Sequence, residues 1–272
     1  MTLTVVRHDD PAALLRRARP FLLRDEPETS LILGVAQNLA PDRPGPLLLT
    51  VERDDEVRAV ALHIAPHSLL VTDVAPEDRA ALRTTLLELV PDLPSMTGPM
   101  ATVDALRTGW PQAHATVHMR LHKLERLIEP PVPPGQVRLA TPADADALAP
   151  WAQGFTKDSG SDDPRPGAEV LAPYLDNGTL YLWEDGQARC MVGWSRDTPN
   201  GASISLVYTP PAHRGRGYAT ALAAHVSRLL LSRGKRFCVL FTNLANPTAN
   251  AIYARIGYEP LSDHSTWSLR AP

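Results

Sequence analysis

Lysine and cysteine are both scarce: Lys123, Lys157 and Lys235 are the only lysines in 272 residues, and Cys190 and Cys238 the only cysteines. The cysteines lie in strand-like runs without metal-type spacing, which speaks against a disulfide framework and for core thiols in a reducing compartment. No apolar run approaches the roughly 20 residues of a membrane span, and the opening MTLTVVRHDDP lacks the apolar centre of a signal peptide. A cytoplasmic protein without a membrane partner is expected. Neither sign of charge dominates, the net charge being -3. That speaks against a nucleic-acid partner, which needs a concentrated positive surface. Arginine supplies the other basic residues; with 27 prolines and much alanine, this is the codon bias of a GC-rich, bacterial genome and says little about function. The hydrophobic fraction of 44% is enough for ordinary cores, and the length exceeds one domain of about 100 to 200 residues.

A proline-dense stretch, EPPVPPG at 129–135, forces an extended spacer. It divides the chain into a first domain, 1–126, a linker, 127–135, and a second domain, 136–272. In the second domain, 136–140 reads as a strand and Thr141-Pro142-Ala143-Asp144 as a helix start. Helices follow at 143–154 and 166–177, then strands at 179–184 and 188–196.

The most informative stretch is VYTPPAHRGRGYATALAAHV, 207–226. Before it, Ser203, Ser205 and Val207 alternate with Ile204, Leu206 and Tyr208, a strand period that Pro210 and Pro211 end by removing two N–H donors. Gly215 and Gly217 let the backbone approach a bound group, and residues 219–231 suit a helix. The unpaired amides of its first turn and the positive end of its dipole favour a phosphate or pyrophosphate, with Arg214 and Arg216 as mobile charge at the rim. A P-loop needs Gly-Lys-Ser/Thr, which does not follow, and a dinucleotide fingerprint needs Gly or Ala where Thr220 stands. What remains is Arg-x-x-Gly-x-Ala at Arg214, Gly217 and Ala219, with Pro211 three residues before the arginine. This resembles the acyl-CoA-binding signature of the GCN5-related N-acetyltransferase (GNAT) superfamily; a tight, well-capped turn is the plainer reading.

A second motif lies downstream. Residues 237–241 are an almost wholly apolar run, as in a strand buried on both faces. Asn246 suits an N-cap, Pro247 the first helical position and Gly257 a C-terminal stop, giving a helix over 247–256. Asn246, Ala249, Tyr253, Gly257 and Tyr258 are similar to the family's second signature, about 30 residues after the first and in the family's order.

The resemblance implies an α/β fold with a mixed sheet, in which the strands at 203–209 and 237–242 splay and the pantetheine arm of acetyl-CoA enters the gap. It implies that backbone groups of Val207, Tyr208 and Thr209 pair with the pantetheine amides. The amides of Gly215, Arg216, Gly217, Tyr218, Ala219 and Thr220 would hold the pyrophosphate, and Asn243, Asn246 and Asn250 would border the cofactor; for Asn246 a simple cap is the alternative. Tyr253 matches the tyrosine that protonates the departing thiolate, a phenol with pKa about 10 being protonated at neutral pH; its alternative role is core packing. Relatives often carry a base on the strand before the loop, yet 201–209 holds no Asp or Glu. Glu184, Asp162, Asp163, Glu169, Asp263 and His264 are candidates, each also readable as an ordinary surface or turn residue, and solvent is another route for the proton.

In the first 126 residues, strands at 47–51, 57–64 and 68–71, a helix at 76–90, a strand at 95–97, a helix at 101–108 and a strand at 114–124 suggest a worn second copy of the fold, against the alternative of an unrelated substrate lid. Where its cofactor loop would fall the chain reads VAPEDRAA, with no glycine and two acids, so this copy should not bind CoA. His114, His118 and His122 have helical metal-ridge spacing, but alternation with Ala115, Val117, Met119 and Leu121 reads as a strand, and no metal is expected. The functional expectation is an N-acyltransferase moving an acetyl group from acetyl-CoA to a primary amine, on a small molecule or peptide, by direct attack in a ternary complex. The rival is a non-catalytic acyl-CoA sensor. A homodimer is compatible with either.

Overall fold

The computed structural model describes residues 3–40, 45–161 and 163–271. The chain forms two compact units, Met1–Met119 with Ser262–Pro272, and Arg120–Leu261. The proline-dense stretch read as the linker lies inside the second unit, and the passage between units falls within two strands instead. These are β6 (His114–Leu124) and β12 (Glu259–Ser268).

The first unit contains β1 (Leu3–Arg7), α1 (Pro11–Leu22), α2 (Glu26–Asn38), β2 (Leu47–Arg53), β3 (Glu56–His63), β4 (Leu69–Val71), α3 (Arg79–Leu89), β5 (Ser95–Pro99) and α4 (Met100–Leu106). The second contains β7 (Gln136–Leu139), α5 (Ala145–Ser159), α6 (Gly167–Asp176), β8 (Leu180–Glu184), β9 (Ala188–Ser195), β10 (Gly201–Tyr208), α7 (Tyr218–Ser232), β11 (Phe237–Asn243) and α8 (Pro247–Arg255). Each half of the chain thus runs strand, two helices, three strands, helix, strand, helix, and ends in β6 or β12. The second copy was legible almost element by element. In the first, β1, α1 and α2 are additions to the sequence reading. Asp10 caps α1, its Oδ1 accepting from the Ala13 amide at 2.7 Å, and Pro11 opens it. Leu14, Ala18 and Leu22 stack on one face, fully buried against Ile32, Leu33 and Ala36 of α2 and Leu48, Val60 and Leu62 of the sheet.

In the first unit β1, β2, β3 and β4 are antiparallel neighbours, β4 runs parallel to β5, and β5 pairs antiparallel with β12 from Ser95↔Ser268 to Pro99↔His264. In the second, β7, β8, β9 and β10 are antiparallel neighbours and β10 runs parallel to β11. The end of β6 flanks β11, where the His122 Nε2 lies 3.0 Å from the Thr242 Oγ1. Each unit therefore completes its sheet with the last strand of the other copy. β6 is a strand, as its alternation implied, but His122 on the supposed polar face is buried. Among the described residues no group of three His, Cys, Asp or Glu could hold a metal.

The second unit has helices on both faces of its sheet. Ala221, Leu222, Val226 and Leu230 of α7 pack with Tyr253 of α8 on Cys190, Val192, Ala202, Ile204 and Leu240. Leu148 and Ala152 of α5 and Leu171 of α6 pack on Leu182, Met191 and Leu206. Burying each large aliphatic side chain contributes about 1.5 to 3 kcal/mol, so these two layers fix the central strands. No described helix is long and apolar enough to cross a membrane.

Candidate functional site

β10 and β11 are in register only at Gly201↔Phe237, Ala202↔Cys238 and Ser203↔Val239; beyond Ser203 they part. On its other edge β10 bulges against β9 between Ser205 and Tyr208, with Leu206 at φ +52. A buried leucine with positive φ is strained, and the surrounding core holds it there. A bulge re-aims a strand, so β10 leaves its parallel neighbour with open backbone edges facing the gap.

The chain then enters the glycine turn. Gly215 and Gly217 have φ +76 and +82, and a Cβ at either would meet nothing within 4 Å. The glycines are therefore required by backbone conformation, and the space beside them is open to solvent. Gly217 is the N-cap of α7 and provides no side-chain cap; only the Ala221 amide is bonded back, to the Gly217 carbonyl at 3.0 Å. Among the described residues the amides of 215–220 have no acceptor, which makes the loop and helix start an anion cradle. The Tyr218 side chain is buried and donates to Asp185 Oδ2 at 2.7 Å, so it anchors α7 and offers the cradle its amide alone. Ala219 packs against the core.

Arg214, expected as charge at the rim, is exposed but engaged by neighbours. Its Nε donates to the Thr209 carbonyl at 2.9 Å, its Nη2 pairs with Asp158 at 2.5 Å, and its guanidinium lies 5.7 Å from the Tyr208 ring. It braces the loop. Arg216 is exposed and makes no ion pair among the described residues. Val207, Tyr208 and Thr209 are half-buried at the parting of the strands. Tyr208 lies on α5, where any side chain at Gly154 would collide with its hydroxyl.

The three asparagines expected to border the cofactor have internal tasks. Asn246 Oδ1 accepts from the Ala249 amide at 3.0 Å, the simple cap. Asn243 Oδ1 accepts from the Ala245 amide at 2.8 Å. Asn250 accepts from Thr242 Oγ1 at 2.5 Å and donates to the Asn246 carbonyl at 3.0 Å, tying α8 to β11.

Tyr253 belongs to the cluster that includes Ile204 of β10 and Leu240 of β11, next to the parting. Its ring meets Tyr258 edge-on at 5.7 Å. Burial, with Cys190 nearby, pushes its phenol above the usual range, so it is protonated at any ordinary pH. Its hydroxyl makes no hydrogen bond among the described residues, whereas that of Tyr258 lies 2.9 Å from Ser227 Oγ. Burial pushes both thiols, Cys190 and Cys238, up to about 12, which leaves them inert.

The carboxylates considered as bases are engaged or exposed. Glu184 pairs with Arg138 at 2.7 Å and Asp163 with Arg165 at 2.6 Å. Glu169 is exposed at the start of α6. Asp162 lies outside the described residues. His264 belongs to the first unit, its Nε2 3.0 Å from Glu28 Oε1, as does Asp263.

The equivalent place in the first unit is closed. Asp78, at the start of α3, is fully buried and paired with Arg53, and Arg79 Nε donates to the Val74 carbonyl at 2.8 Å. β4 and β5 stay in contact, a Cβ on Gly98 falling 2.6 Å from the Val71 carbonyl oxygen. The cavity there, lined by Val71, Asp73 and Pro99, holds about 20 Å³. That is room for a single water.

Residues 183–268 match the family described as FR47-like protein. No curated protein matches the sequence. Among solved structures, the chain is similar to a GCN5-related N-acetyltransferase from Sphaerobacter thermophilus, with TM-score 0.68 and 17% identity over 98% of this chain and 96% of that one. It is similar over the whole of both chains to a tandem GNAT protein from the clavulanic acid biosynthesis pathway, with TM-score 0.61 and 14% identity. A GCN5-related N-acetyltransferase from Kribbella flavida matches with TM-score 0.57 and 18% identity, over 78% of this chain and 86% of that one.

Proposed function

The fold is that of the GCN5-related N-acetyltransferase superfamily, in tandem, and from this premise we propose that the second unit transfers an acetyl group from acetyl-CoA to a primary amine. The observation that carries the reading is the set of free amides at 215–220, opened by two left-handed glycines, beside the parting of β10 and β11. The cradle fits a pyrophosphate: it has donors, a helix N-terminus, no acid of its own and, in Arg216, an unengaged cation. The open edge at Val207, Tyr208 and Thr209 fits the amides of a pantetheine arm, as an added strand would. Asn243, Asn246 and Asn250 shape the wall of this gap through their internal bonds.

In the proposed reaction an unprotonated amine attacks the thioester carbonyl carbon, the carbon–sulfur bond breaks, and the thiolate takes the Tyr253 proton. Tyr253 suits this task because its phenol is held neutral and its hydroxyl has no internal partner. With no carboxylate on β10, the amine's proton leaves to solvent. In this reading the first unit, with its closed gap, binds no CoA. Free thiol release from acetyl-CoA over a panel of primary amines tests the proposal. Amine-dependent release is expected; CoA binding with no release on any amine would favour the sensor.

A further inference from the structure

Arg196 is a charged group of the second unit that the proposed reaction leaves unused. It follows the last residue of β9 with φ +49, which turns its side chain back over the sheet. There its Nη2 donates to Ser203 Oγ at 2.6 Å. Among the described residues that is its single hydrogen bond, and no Asp or Glu pairs with it. Other arginines of the chain do have acids: Arg138 has Asp144 and Glu184, Arg165 has Asp163, and Arg228 has Glu129. A guanidinium has five donors, and leaving it crowded by protein without a counter-charge is costly. It is half-buried, and the burial lowers its pKa.

Its surroundings are polar and pre-arranged. Ser203 and Ser205 share a face of β10, and Ser195 pairs with Ser203 across β9. Ser205 Oγ lies 2.8 Å from the Tyr174 hydroxyl and 3.4 Å from Ser195 Oγ. The Tyr174 ring sits where a Cβ on Gly193 would be, so that glycine seats it. Ser205 is also the last paired residue before the bulge. The strip thus leads from Arg196 at Ser203, where β10 leaves β11, to the bulge at Ser205, about 7 Å further for two residues of strand.

We infer that Arg196 anchors a carboxylate carried by the acceptor amine. The inference rests on the acyltransferase reading above. A carboxylate fits better than a phosphate because the positive charge is single: Lys235, near the same hairpin, is engaged by Asp197 and the Thr198 carbonyl. The planar fork of arginine matches a carboxylate with two parallel bonds. The short distance to the bulge selects a small acceptor, with amine and carboxylate a few bonds apart, as in an amino acid.

The test compares glycine, β-alanine and γ-aminobutyrate with glycinamide, β-alaninamide and γ-aminobutyramide in the thiol-release assay. The carboxylated member of at least one pair should be preferred by about 10-fold to 100-fold in kcat/KM. In Arg196→Gln, with folding checked by thermal melting, that ratio should fall to about one through a higher KM for the carboxylate, and Arg196→Lys should restore part of it. Equal use of acids and amides by the wild-type protein would overturn the inference, as would an Arg196→Gln variant that keeps the preference. If CoA binds but no amine releases thiol, the acyltransferase reading fails by itself. The anchor is then judged by whether the same acids, and not the amides, raise the melting temperature of the wild-type protein and not of Arg196→Gln; no such shift overturns it.

Discussion

Replacing Tyr253 by Phe separates chemistry from packing, because the neighbouring Tyr258 supplies a control in the same cluster. The rings touch edge-on and both are buried. Their hydroxyls differ: Tyr258 is bonded to Ser227, and Tyr253 is bonded to nothing described. Tyr258→Phe therefore removes one internal hydrogen bond, worth about 1 kcal/mol, and should lower the melting temperature by about 2 to 4 °C in a protein of this size. Tyr253→Phe removes none and should leave stability within about 0.5 kcal/mol of wild type. In turnover the order reverses. If the Tyr253 hydroxyl protonates the thiolate, Tyr253→Phe should lower kcat by about 10²-fold to 10⁴-fold, equivalent to about 2.7 to 5.4 kcal/mol of barrier, with little change in CoA affinity. Tyr258→Phe should keep most of its kcat. Because burial and Cys190 raise the Tyr253 pKa, the acid form persists to higher pH than a free phenol would allow, and Tyr253 should cause no loss of kcat on the alkaline side up to about pH 10. The assay is thiol release at saturating acetyl-CoA, with melting curves for both variants. Intact turnover in Tyr253→Phe, or equal destabilisation by the two substitutions, would refute the reasoning.

Two further outcomes follow from local geometry. Gly217→Glu should abolish CoA binding in a calorimetric titration while the chain stays folded: the left-handed backbone costs a side chain about 1 to 2 kcal/mol, the space around it is empty, and a carboxylate repels a pyrophosphate. Asp144 closes a capping box with Thr141 and pairs with Arg138, which together hold its carboxyl far below the usual range despite partial burial; Asp144→Ala should cost about 0.5 to 2 kcal/mol from the cap alone at pH 7. A depressed carboxyl stabilises the fold above its unfolded pKa and loses that effect as pH falls toward its folded one, so the gap in urea midpoint between the two proteins should shrink only below about pH 3.9; a gap that does not change down to acid pH would contradict this.

The parts of the fold written in short-range chemistry were legible. Asn246 and Pro247 start α8, Gly257 ends it, Pro210 and Pro211 stop β10, and Gly215 and Gly217 form the turn before α7. What was missed depends on distance. α1 carries Pro20 inside it and three arginines, which blur the spacing of Leu14, Ala18 and Leu22. The exchange of β6 and β12 has no local mark, since a strand's partner is set by the sheet it meets. The partner of Arg214 was hidden for the same reason: Asp158, which pairs with it, lies on α5, far away in sequence. Arg196 looked like any other arginine, and only the structure reveals that no described carboxylate pairs with it.

The central claim, a single acyl-CoA cradle at 214–220 in a chain that carries the fold twice, is tested most directly by calorimetric titration of the intact protein with CoA. The account predicts one site per chain, and none in Gly217→Glu. Two equivalent sites, or binding that survives in Gly217→Glu, would contradict it.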